Sequence, residues 1–107
     1  MALLACEETI FEPDISEESV QLLAPANGSV VNTESVQFNW EGVEGATSYR
    51  IQIANPDFEN ASQILVDSTT DVLSFSERIT PGSYQWRVRA QNDGHQTLYT
   101  TASFSVE

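Results

Sequence analysis

The sequence predicts an all-β protein, a seven-stranded immunoglobulin-like sandwich behind a disordered, acidic N-terminal tether. Three observations carry that expectation. From Val20 onward apolar and polar residues alternate with period two and helical 3.6 spacing is almost absent, the pattern of half-buried strands. Turn residues interrupt the alternation roughly every 8–12 residues, which suits a sandwich. The 107 residues amount to one domain by length, and the single cysteine leaves no intramolecular disulfide, so the core alone must hold the fold.

The first strand spans residues 20–24 and closes at Pro25-Ala26-Asn27-Gly28, a strong turn signal. The second, 35–40, sets Val36, Phe38 and Trp40 on one face and Gln37 and Asn39 on the other. Residues 41–47 contain Gly42 and Gly45 and read as a loop. The third strand, 48–54, turns Tyr49, Ile51 and Ile53 inward against Arg50 and Gln52, and Asn55-Pro56-Asp57 ends it. Shorter strands follow over 63–68 and 72–76. The clearest alternation comes after Pro81-Gly82, where Tyr84, Trp86, Val88 and Ala90 oppose Gln85, Arg87, Arg89 and Gln91. Asn92-Asp93-Gly94 makes a tight connection of the hairpin kind. The last strand, 99–106, has Thr100, Ala102, Phe104 and Val106 inward.

Both tryptophans fall on inward faces, so they belong to the core rather than to a sugar-stacking platform. Burying aromatics of that size stabilises a fold by on the order of a few kcal/mol. Tyr84 opens its strand where sandwich domains place a corner tyrosine whose hydroxyl bonds to upstream backbone.

Trp40, the Gly-Ala-Thr-Ser-Tyr-Arg-Ile-Gln-Ile run from Gly45 and the Ile79-Thr80-Pro81-Gly82-Ser83-Tyr84-Gln85-Trp86-Arg87-Val88-Arg89-Ala90 run resemble a fibronectin type III domain over residues 20–107. The resemblance speaks to fold more than to function. It implies that the strands bearing Arg50, Arg87 and Arg89 are neighbours in one sheet, beside the strand of Tyr99, Thr101 and Ser103. Arg50, Arg87, Arg89 and Tyr99 are therefore the candidate binding face. Guanidinium forks suit carboxylate or sulfate, so an acidic glycan or an acidic protein loop would fit there. The competing expectation has the arginines lying flat and pairing with nearby Asp or Glu, where each pair contributes little.

Ahead of the domain, Leu3-Leu4-Ala5-Cys6 resembles the lipobox of bacterial lipoproteins. That resemblance implies cleavage before Cys6 and a lipid on its sulfur, hence attachment to a membrane of the bacterial cell envelope. Glu7, Glu8, Glu12, Asp14, Glu17 and Glu18 follow with no basic residue before Arg50. Such composition buries too little apolar surface to order itself, so residues 1–19 are expected to be a flexible tether. An acidic patch after the cysteine also resembles the surface-export signal of Bacteroidetes lipoproteins. It implies an outer-membrane lipoprotein exposed at the cell surface, and the order of cysteine, short tether and sandwich domain resembles lipoproteins of Bacteroidetes glycan-uptake systems.

Composition excludes several functions. The net charge is −12, with sixteen acids, four arginines and no lysine. Nucleic acid needs a Lys/Arg footprint and would be repelled. His95 stands without a second histidine, which is no metal site, and no loop has the ligand spacing of a calcium site. The one cysteine sits on the tether, away from any positioned base, so no catalytic residues and no cofactor are expected. The chain reads as a monomeric, non-catalytic extracytoplasmic module, either a spacer or protein-interaction domain that meets an envelope protein, or a glycan-binding module.

Overall fold

A computed structural model describes residues 12–107. Cys6 lies outside the described residues, as does the stretch before Glu12. Eight strands form the domain: β1 (Leu22–Ala24), β2 (Ser29–Val31), β3 (Ser35–Trp40), β4 (Ser48–Asn55), β5 (Gln63–Thr70), β6 (Ser74–Arg78), β7 (Gly82–Gln91) and β8 (Thr100–Val106). They make two sheets, β1-β3-β6 and β2-β8-β7-β4-β5. All pairs are antiparallel except β2 with β8. The sandwich is the predicted one.

The alternation in β3, β4 and β7 decides which sheet faces meet. Phe38, Ile51, Ile53, Trp86, Val88 and Ala90 have no exposed surface, and Trp40 retains 1%. Phe38, from the small sheet, lies edge-on to Trp86 and Phe104 of the large one, with ring centroids 5.0 and 5.6 Å apart. Offset and edge-on aromatic pairs of this kind add to what burial alone gives. The Trp86 indole donates to the carbonyl of Pro25 at 3.2 Å, which anchors the β1–β2 turn to the core. Tyr84 donates to the Thr80 carbonyl at 2.6 Å, the corner bond its position predicts.

Two boundaries differ from the expectation. The seven-strand reading omits β2, because three residues cannot display an alternation; here the chain passes the Ala26–Gly28 turn and changes sheet to run beside β8. Gly28 takes a φ of +83° in that turn, a conformation glycine adopts without steric cost. The second difference concerns the tether. A start of the packed unit at Val20 leaves out Ile15, which is only 2% exposed and belongs to the core cluster.

Ile15 is held from several sides. The Asn92 side-chain amide donates to the carbonyls of Pro13 and Gly45 at 2.9 and 3.0 Å. Gly45 has a φ of +91°, and a Cβ there would lie 3.0 Å from both Ile15 and Pro13. Glycine permits that close approach. An isolated apolar residue among acids shows no periodicity, so local composition hides its burial. Asp14 accepts from the Ser16 hydroxyl and amide at 2.6 and 3.0 Å, bonds that hold its carboxyl below the usual range.

The chain path is polar in the geometric sense. Pro13 attaches at Asn92, just past the C-terminal end of β7, while Val106 pairs with Gly82 at its beginning. Ten residues of strand separate those points, roughly 30 Å at the usual rise. The chain therefore enters the domain at one pole and leaves at the other.

Candidate binding face

The outward residues of β4, β7 and β8 share one sheet face. Register sets Arg50 opposite Arg89, Gln52 opposite Arg87, and Arg87 opposite Thr101. Like charges directly opposite across a strand pair repel, and the two arginines turn away from each other. Arg50 reaches toward β5, where its Nε and Nη2 each donate to Asp67 at 2.8 Å. Arg89 turns toward β8, over the Tyr99 ring at 5.0 Å from its centroid.

Arg87 lies between two rings, 4.0 Å from the Phe58 centroid and 4.4 Å from that of Tyr99. Its Nε donates to Gln52 Oε1 at 2.7 Å, and Arg89 Nε donates to Gln91 Oε1 at 3.3 Å. Phe58 is itself fixed by its backbone amide, which donates to Gln85 Oε1 at 3.0 Å. The result is a ladder of Phe58, Arg87, Tyr99 and Arg89. Cation–π contacts at exposed sites contribute about 0.5–1 kcal/mol each, enough to fix geometry rather than to hold the fold.

Charge on this face is unevenly satisfied. The hydrogen bond from Arg50 holds the Asp67 carboxyl below the usual range, helped by Gln52 and by the charges of Arg50 and Arg87. The same bond raises the pKa of Arg50. Among the described residues, no carboxylate lies within ion-pair distance of Arg87 or Arg89. Arg78 stands apart, paired with Glu34 at 2.7 Å at the edge of the other sheet.

The structure thus brings Arg50, Arg87, Arg89 and Tyr99 together, and splits them. Arg50 follows the flat-and-paired expectation; Arg87 and Arg89 rest on rings instead. Sequence reasoning missed Asp67 as a partner. In the β4–β5 hairpin Arg50 faces Thr69 and Gln52 faces Asp67, so Asp67 is the diagonal neighbour of Arg50, within reach of a long side chain. That register was the available signal. His95 is half-buried, with Nδ1 3.4 Å from Asp14 Oδ1.

Solved structures match this architecture. A structure of fibronectin(III)-like modules of CbhA from Clostridium thermocellum aligns with a TM-score of 0.60 at 11% identity, over 82% of this chain and 95% of that one. The fold is fibronectin type III-like. The crystal structure of FN3tt gives a TM-score of 0.60 at 20% identity, covering 81% and 92% of the two chains. An Fn3-like protein from Clostridium thermocellum gives 0.54 at 18% identity, covering 79% and 96%. These identities make the likeness one of fold. No protein-family model matches the sequence, and no curated protein matches it.

Proposed function

We propose that this fibronectin type III-like domain is a non-catalytic spacer or protein-interaction module, carried outside the cytoplasm by a bacterial lipoprotein anchored through Cys6. The observation that carries the spacer role is the chain path, in at the Asn92 pole and out at the Gly82 pole. A module strung that way adds its length to whatever it links. Packing of Pro13 and Ile15 against Gly45 and Asn92 supports the role further, since it stiffens the join between tether and sandwich. Similar fibronectin(III)-like modules occur in CbhA.

The anchor is supported by the lipobox-like Leu3-Leu4-Ala5-Cys6 and the acids that follow it. The location proposed is the outer membrane of the cell envelope, with the domain at the surface. Metabolic labelling of the native protein with a fatty-acid probe tests it. Label on Cys6, loss of label in Cys6→Ser, and protease access on intact cells are the expected results. An unlabelled protein in the soluble fraction overturns the anchor and the location together.

A further inference from the structure

We propose that the outer face of β4, β7 and β8 binds a carboxylated polysaccharide, with Arg87 and Arg89 as its anion contacts beside Tyr99. This adds recognition to the spacer role and stands on different observations. Among the described residues each arginine spends only its Nε on a side-chain hydrogen bond, to Gln52 and to Gln91. Among the described residues their Nη groups meet no carboxylate. Arg87 lies over both Phe58 and Tyr99, and Arg89 over Tyr99, contacts that restrict the side chains and leave less freedom to be lost on binding. A planar guanidinium with its edge open is the geometry for a carboxylate.

Charge points the same way. Arg50 and Asp67 neutralise each other, which leaves two cations on the face of a chain whose net charge is −12. The Debye length is about 8 Å at physiological ionic strength, so acids elsewhere on the molecule repel a ligand on this face only weakly.

The neighbours of the arginines suit a hydroxyl-rich ligand. Gln52, Gln85, Gln91, Thr101 and Ser103 surround them, a lining of amides and hydroxyls. Tyr99 and Phe58 add aromatic surface beside the two cations. A hydroxyl-rich chain carrying carboxylates, such as a polyuronate, complements both the lining and the two cations.

The test is an amide-shift titration of the isotope-labelled protein with galacturonate oligomers, matched neutral galactose oligomers and a poly-glutamate peptide. Saturable shifts at Gln52, Arg87, Arg89 and Tyr99 with galacturonate, and none with the neutral oligomer, are expected. The Arg87→Gln/Arg89→Gln double variant should bind at least about tenfold more weakly, as loss of charge-assisted hydrogen bonds requires, with its other amide signals in place. Absence of saturable shifts overturns the proposal, as does unchanged affinity in the double variant. Equal or tighter binding of poly-glutamate also overturns it and makes the face a protein-docking surface. Each of these failures leaves the spacer reading intact, because that rests on the chain path and on Cys6.

Discussion

On β7, Trp86 and Arg87 are neighbours in sequence and opposites in surroundings. Trp86 has no exposed surface and reaches across from the large sheet to Phe38 and Trp40 of the small one. Arg87 lies over Phe58 and Tyr99 on the half-exposed outer face. One strand thus carries a packing face and a polar, ordered face, and the difference is a separation of tasks. Energy for the fold comes from the inner face. Side-chain geometry available to a partner comes from the outer one.

Truncating the two neighbours breaks or confirms that separation most directly. Trp86→Ala should cost about 3–5 kcal/mol, the range for large aromatics removed from a core. It leaves a cavity between Phe38 and Trp40 and takes the indole donor from the Pro25 carbonyl. Arg87→Ala should cost under about 1 kcal/mol, as surface contacts of this type do. Urea unfolding monitored by circular dichroism measures both. Comparable losses would mean that the outer face is also structural, and the separation would fail.

Ile15 extends the inner face into a segment whose composition reads as solvated. Ile15→Ala should destabilise by about 2–5 kcal/mol, as for other buried aliphatics, and should broaden or shift the amide signals of Gly45 and Asn92 that hold the segment. A loss below about 0.5 kcal/mol, the scale of surface substitutions, would return residues 12–19 to the tether.

What the sequence discloses follows from how each region is stabilised. The inward faces of β3, β4, β7 and β8 are legible because the hydrophobic effect acts on side chains and strand geometry imposes a period of two. Trp40, Trp86 and Tyr84 all sit where alternation puts them. β2 is held by backbone pairing with β8 over three residues, and backbone hydrogen bonds leave no side-chain pattern. Ile15 depends on Gly45 and Asn92, residues far along the chain. On the outer face the sharing of one surface by Arg50, Arg87, Arg89 and Tyr99 is legible, since parity and strand adjacency fix it. The division of those arginines into one paired and two stacked is not. It depends on hairpin register and on the loop that delivers Phe58.

The smallest expected effect lies on that outer face, at Asp67. Its folded pKa is depressed from the ordinary 3.8, chiefly by the bond from Arg50, so between the folded and unfolded values the unfolded chain binds more protons. Stability therefore rises with pH across that window. The contribution is fully present above the unfolded pKa and disappears as pH falls through the folded one. Asp67→Asn should lower stability slightly near neutral pH, and the gap from the unsubstituted protein should close below 3.8, read from unfolding midpoints across acid pH. The same substitution removes the carboxylate from Arg50, raising the cations on the face without a carboxylate partner among the described residues from two to three and strengthening its hold on galacturonate oligomers. A variant that is less stable yet binds more tightly would show stability and recognition in opposition at one side chain. A pH-independent gap would assign the Asp67 contribution to packing rather than charge.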